Sequence, residues 1–192
     1  MASDPTDKLN AALREVIEAF STEVLAPRRE ELFRRISASL AATARGAVPR
    51  VLYIEDDERN VEVMQFRLGK RFDVLVASND VGAVELYRKH GDTLDAVMID
   101  VELKGSLMDG VQLTRLFRGT LSVAETPDFA KGVEATTRPI VAVTAYSVRF
   151  TKGTLNAAGA EEYFTKPLDF TKLTRVLTAM TGLGAPAHPV RV

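Results

Sequence analysis

The stretch Val51-Leu-Tyr-Ile-Glu-Asp-Asp-Glu58 decides how the rest of this sequence is read. Its first four residues form an apolar run too short for a helix and rich in strand-favouring types. No polar residue alternates with them, so the strand is expected to be covered on both faces, as in a parallel sheet. It runs without a break into four consecutive acids. Three more runs share this texture: Phe72–Ala77 (interrupted by Asp73), Ala96-Val-Met-Ile99 and Ile140-Val-Ala-Val143. A shorter fifth lies at Glu162–Thr165. Between them the apolar spacing predicts helices over 59–69, 80–90, 110–118, 148–158 and 169–181. Five strand-then-helix units predict an α/β protein on a doubly wound, five-stranded parallel sheet.

Ligands of such sheets bind beyond the carboxyl ends of the strands. The first strand delivers Glu55-Asp56-Asp57-Glu58 there, the third Asp100, the fourth Thr144 and the fifth Thr165-Lys166-Pro167. The second ends in Ser78-Asn79-Asp80, a helix-capping signal without evident chemistry. Carboxylates of Asp56 and Asp100, with Glu55 beside them, would repel one another and resist joint ionisation. A hard divalent cation resolves that conflict. Mg²⁺ takes oxygen ligands, binds through one or two carboxylates, and keeps waters that a phosphate can replace. A lysine and a threonine at neighbouring strand ends can meet phosphoryl oxygens. The set suits an aspartate that attacks phosphorus and becomes an aspartyl phosphate.

Composition excludes the main alternatives. The chain has 192 residues, 25 Lys+Arg against 26 Asp+Glu, 2 His and no Cys. Thiolate metal sites, disulfides and Cys nucleophiles are therefore impossible, and a multi-histidine metal site is not expected. Near-neutral charge argues against a nucleic-acid-binding surface. No apolar run approaches the ~20 residues of a membrane span, and the start MASDPTDKLN lacks the features of a signal peptide. A soluble, cytoplasmic protein is the expectation.

Four blocks resemble the signature of the response-regulator receiver domain: Val51–Glu58, Ala96-Val-Met-Ile-Asp100, Pro139-Ile-Val-Ala-Val-Thr-Ala145 and Gly159-Ala-Glu-Glu-Tyr-Phe-Thr-Lys-Pro167. The likeness covers residues 50–181 and implies a flavodoxin-like strand order 2-1-3-4-5. It implies that Asp100 is the phosphoacceptor, with Asp56, Asp100 and the backbone carbonyl of Glu102 as Mg²⁺ ligands and Glu55 supporting them through water. Lys166 would contact the phosphoryl group, Thr144 would be the switch hydroxyl, and Tyr163 the switch aromatic. The implied partners are a histidine kinase or histidine phosphotransfer protein and a downstream protein target. The phosphoryl group would come from a phosphohistidine and leave by self-catalysed hydrolysis, with no other enzymatic activity. Phosphorylation would reshape the surface of the fourth helix, fifth strand and fifth helix.

The sequence departs from this pattern at two loops. After Asp100 it reads Val101-Glu-Leu-Lys-Gly-Ser-Leu-Met-Asp-Gly110, with Lys104 where the family has proline and two extra residues before Asp109-Gly110. Glu102 and Tyr146 occupy positions that in the family influence phosphoryl lifetime. Residues 119–138, GTLSVAETPDFAKGVEATTR, lengthen the connection after the third helix and are expected at the amino ends of the strands, as a partner or packing element.

Residues 1–48 show helical periodicity on both sides of Pro27, which predicts two helices or one kinked helix. Their expected role is oligomerisation or partner binding, with packing on their own receiver domain as the alternative. No His occurs among residues 1–89, which excludes a histidine phosphotransfer module there. With no basic surplus at the start and few residues after 181, a DNA-binding output is not expected. The tail over 182–192 is expected to be flexible. Two competing readings remain: a phosphorylation-silent receiver fold used for binding, and a haloacid-dehalogenase-type phosphohydrolase. The latter also uses Asp, Thr and Lys at successive strand ends. It places its acidic metal pair after the lysine, however, whereas here the acids precede Asp100.

Overall fold

Every apolar run forms a strand. A computed structural model describes residues 48–145 and 150–182. The helices expected in 1–48, Tyr146 and the 182–192 tail fall outside these residues, apart from Val48 and Gly182. Residues Pro49–Leu177 form one compact unit. In chain order it contains β1 (Arg50–Ile54), α1 (Glu58–Leu68), β2 (Asp73–Ala77), α2 (Asp80–His90), β3 (Ala96–Asp100) and α3 (Gly110–Phe117). Then come β4 (Ile140–Ala145), α4 (Lys152–Ala158), β5 (Glu162–Lys166) and α5 (Phe170–Thr181), which starts in this unit and runs past its last residue. All ladders are parallel and the order is β2-β1-β3-β4-β5, the doubly wound arrangement expected from the sequence.

Alternation along the strands supplies two buried faces. Leu52, Ile54, Val97 and Ile99 pack under α2 and α3 with Ala83, Val84, Leu113 and Phe117. Tyr87 of α2 stacks on Phe117 of α3, ring centroids 4.4 Å apart. Val51, Tyr53, Ala96 and Met98 point the other way and are equally buried. On that side Arg67 of α1 lies over the Phe170 ring of α5 at 5.5 Å. The chain leaves β1 for β2 on one side and returns to β3 on the other. The carboxyl ends of β1 and β3 are therefore the point where the winding reverses.

The fourth helix differs from expectation. It opens at Lys152 and not at 148, because the Thr151 hydroxyl caps it by accepting from Thr154 N at 3.2 Å. Its end is set by Gly159, whose φ of 104° is left-handed. The 119–138 segment is a packing element. Leu121, Phe129 and Val133 lie against the core beside α2 and α3, and Tyr87 Oη donates to Glu134 O at 3.0 Å. Arg118 closes it off. Its guanidinium donates to the carbonyls of Gly159, Thr136 and Arg138 and to both oxygens of Glu161.

Candidate functional site

The four acids after β1 divide their labour. Glu55 continues the strand and is 1% exposed, on the same face as Tyr53. Asp56 is half-buried at the strand's end. Asp57 caps α1, accepting from Arg59 N at 2.9 Å and Asn60 N at 3.4 Å, and Glu58 lies in the first helical turn. Two of them therefore start a helix, where carboxylates are favoured by the helix dipole, and two face the crevice. With Asp100, which ends β3 at 4% exposure, Glu55 and Asp56 place one carboxylate oxygen each within 4.8 Å of the others.

Lys166, at the end of β5, reaches into this group. Its ammonium donates to both oxygens of Glu55 (2.9 and 2.8 Å) and to Asp100 Oδ2 at 2.6 Å. The other Asp100 oxygen accepts from Glu102 N at 3.2 Å. Glu55 has two further donors: Tyr53 Oη at 2.6 Å and Asn60 Nδ2 at 2.8 Å. Sequence reading missed both donors. Tyr53 passed as one more apolar strand residue, and its only signal was its two-residue offset from Glu55.

The electrostatics follow from these contacts. Burial drives the Asp100 carboxyl up to about 6, and the Glu55 charge adds to the rise while Lys166 opposes it. Burial also pushes Glu55 upward, but hydrogen bonds from Lys166, Tyr53 and Asn60 win and hold it below its ordinary value. Burial alone would lower Lys166; Asp100 and Glu55 outweigh it and raise it. Burial and the neighbouring Glu55 keep the Tyr53 phenol protonated far above its ordinary range. Glu55 is thus a fixed anion anchoring Lys166. Asp100 is a strained one that gains from any added positive charge.

Lys166→Met removes the only cation in contact with the two buried carboxylates among the described residues. At pH 7 without divalent cations the fold should lose about 1–3 kcal/mol. Asp100 would then bind a proton more readily still, so the loss should be largest above pH 6 and shrink towards pH 5. Urea denaturation at both pH values measures it. A pH-independent loss would mean that packing of the lysine stem, and not its charge, matters.

Not every predicted residue joins the cluster. The buried Thr144 hydroxyl donates to the carbonyl of its own neighbour Ala145 at 2.7 Å. Tyr163 is half-buried and packs against Val101, Ala142, Leu155 and Ala160, with Lys152 Nζ 5.7 Å from its ring centre. The Glu102 side chain is exposed while its amide faces Asp100. Gly110, opening α3, lies hard against the backbone of Asp100 and donates to Val101 O at 3.0 Å. Asp109 caps that helix in a reciprocal box with Gln112.

Residues 51–178 match the family model of the response regulator receiver domain. The sensor histidine kinase GacS of Pseudomonas protegens is 31% identical over 150 residues, which are 78% of this chain and 15% of the kinase. The chain thus spans a small part of that relative's length. Among solved structures, the receiver domain of the sensor histidine kinase PA1611 from Pseudomonas aeruginosa, with a magnesium ion in its active site cleft, is 25% identical at a TM-score of 0.54. That match covers 71% of this chain and 99% of the other. Chemotaxis protein CheY4 of Vibrio cholerae, 20% identical with a TM-score of 0.54, covers 70% and is covered to 99%. At that identity the likeness speaks for the fold alone. No helix among the described residues is long and apolar enough to cross a membrane.

Proposed function

This chain belongs to the response regulator receiver domain family, and on that premise we propose that Asp100 is the phosphoacceptor of a two-component signalling protein. The observation that supports it is the convergence of Glu55, Asp56, Asp100 and Lys166 from three strand ends at the point where the sheet's winding reverses. The donor is a phosphohistidine on a histidine kinase or histidine phosphotransfer protein. An Asp100 oxygen attacks phosphorus, a P–O bond forms, and the P–N bond to the imidazole breaks with its electron pair returning to nitrogen.

The acids fit a divalent cation, being three crowded carboxylates with a raised Asp100. Asp56, Asp100 and the Glu102 carbonyl would hold Mg²⁺ and Glu55 would support it through water. When bound, the ion supplies positive charge against the incoming phosphoryl oxygens. Lys166 is anchored by Glu55, so it keeps its place when its bond to Asp100 yields to a phosphoryl oxygen. Thr144 would exchange its bond to Ala145 O for one to the phosphoryl group, and Tyr163 would turn inward behind it. The exposed surface of α4, β5 and α5 then changes, a shift between two states that a downstream protein reads. This reading takes a cytoplasmic signalling protein with no enzymatic activity beyond its own phosphotransfer and dephosphorylation. It assigns no role to nucleic acid or membrane, and gives residues 1–48 to self-association.

Incubation with Mg²⁺ and acetyl phosphate tests the central claim. A base-labile, hydroxylamine-sensitive adduct should form and should fail to form in EDTA. No adduct and no phosphate release would leave a silent binding module in its place. Rapid multiple turnover of phosphomonoesters would favour a hydrolase. Measuring mass in solution with and without residues 1–48 tests self-association, which an unchanged oligomeric state would sink.

A further inference from the structure

Asp80 is a buried acid that the chemistry above leaves unused. It opens α2 at 2% exposure. The helix does not need it as a cap, because Asn79 fills that place by accepting from Gly82 N at 2.8 Å. Instead one Asp80 oxygen accepts from the backbone amides of Leu107 and Met108, both at 2.9 Å. The other accepts from Val81 N at 3.0 Å. In return, the Asp80 amide donates to Ser106 Oγ at 3.2 Å. A carboxylate at the start of α2 thus grips the loop after β3.

That grip falls on the stretch where the phosphoacceptor loop carries its two extra residues. The remaining polar bonds of residues 101–109 among those described stay within 100–113 or go to Val143 of the adjacent strand. Burial does little to hold the middle of the loop. Lys104, Gly105 and Leu107 are exposed, Leu107 at 77%, between Leu103 and Met108, which are sunk in the core. Ordering each such residue costs backbone entropy. Two charge-assisted bonds to a buried carboxylate are strong enough to offset much of that. The dependence is mutual, since a buried carboxylate without donors is itself costly.

We propose that Asp80 is a positioning residue for the phosphoacceptor site. By fixing the amides of Leu107 and Met108 it sets the course of the loop from Val101 to Asp109, and with it the Glu102 carbonyl offered to a divalent cation beside Asp100. The use of that carbonyl rests on the phosphoacceptor reading; the clamp itself rests on the three hydrogen bonds that cross from Asp80 to the loop. Groups that orient a metal's ligands without touching the metal shift its affinity about 10–100-fold when removed.

The test uses the full chain as Asp80→Ala, Asp80→Asn and Ser106→Ala. Calorimetric Mg²⁺ titration, amide exchange at Leu107 and Met108, and the Mg²⁺ dependence of labelling by acetyl phosphate are read on each. Asp80→Ala should weaken Mg²⁺ binding about tenfold and speed exchange at both amides. Its labelling rate at saturating Mg²⁺ should stay within about twofold of the parent, a split that general damage to the fold would not produce. Asp80→Asn keeps an acceptor oxygen and should recover part of the affinity. Ser106→Ala, which removes the return bond alone, should show a smaller change in the same direction, and it decides the matter with Asp80→Asn if Asp80→Ala does not fold. Unchanged Mg²⁺ affinity and unchanged exchange in folded variants would overturn the proposal. A parent protein that binds Mg²⁺ but takes no label would sink the phosphoacceptor reading while exchange and calorimetry still judge the clamp. A parent that binds no Mg²⁺ would overturn the clamp's bearing on the cation.

Discussion

Asp100→Asn is expected to do two opposite things: abolish the acyl phosphate and stabilise the protein in the absence of divalent cations. An amide is a poor nucleophile for phosphorus, and loss of an attacking group costs about a thousandfold or more in rate. Labelling by acetyl phosphate should therefore fall below detection. The stability gain comes from the site's electrostatics. The carboxyl of Asp100 sits at about 6, above the 3.8 of a free aspartate, because burial and Glu55 disfavour its charged form. A group whose value is raised in the folded state binds its proton more tightly there, so ionising it as pH rises from 3.8 through 6 works against the fold. Removing the charge relieves that cost fully above pH 6 and relieves nothing below about pH 4. Allowing for solvent screening at the crevice mouth, the gain is on the order of 1–2 kcal/mol at pH 7.5. Urea denaturation in EDTA at pH 7.5 and pH 4.5 reads it. Saturating Mg²⁺ should shrink the advantage, since the parent then recovers its stability by binding. A variant that is less stable than the parent at pH 7.5 in EDTA would contradict this electrostatic account, and a surviving adduct would contradict Asp100 as acceptor.

What the sequence could disclose here was what repeats locally. Ile54, Ile99, Val143 and Phe164 each end an apolar run, and the polar residues just beyond them arrive at one edge because parallel strands share a direction. That made Glu55, Asp56, Asp100 and Lys166 legible before any coordinates. The contacts that tune them were not, because they join residues remote in sequence. Glu55 and Lys166 are 111 positions apart, and Asp80 and Met108 are 28 apart. No periodicity announces that Asn79 takes over the cap and frees Asp80 for another loop. Tyr53 was hidden for the converse reason: its ring satisfies the apolar pattern, and only its two-residue offset from Glu55 pointed to its hydroxyl. The start of α4 was misplaced because the apolar spacing runs back past Thr151, whereas a hydroxyl bonded to a backbone amide settled the boundary. Arg118 shows the same limit, as it ties the end of α3 to the far end of the 119–138 segment, at Thr136 and Arg138, and to Gly159 and Glu161.

Gly110→Ala should be among the most damaging single-methyl additions in the chain. A Cβ there would stand 2.7 Å from Val101 Cα and nearer still to the Asp100 carbonyl oxygen. These are backbone atoms of β3's end and cannot swing aside as a side-chain tip would. Something must retreat, and the mobile partner is the amino end of α3. Its withdrawal breaks the bond from Gly110 N to Val101 O, disturbs the Asp109–Gln112 box, and draws Met108 from the core. A cost of about 3 kcal/mol or more is expected for such overpacking against fixed backbone. Gly105 in the same loop provides the contrast. Among the described residues none but its chain neighbours comes within 4 Å of its Cβ position, but its φ of 76° is left-handed, so Gly105→Ala should cost only about 1 kcal/mol through backbone strain. The two substitutions also differ in chemistry. Gly110→Ala displaces the loop that joins α3 to Asp100, the proposed phosphoacceptor, so Mg²⁺ affinity and labelling should fall along with stability. Gly105→Ala perturbs a solvent-facing turn and should leave both close to the parent. If the two variants lost similar stability, loop conformation and not the approach of α3 to Asp100 would govern this end of the sheet.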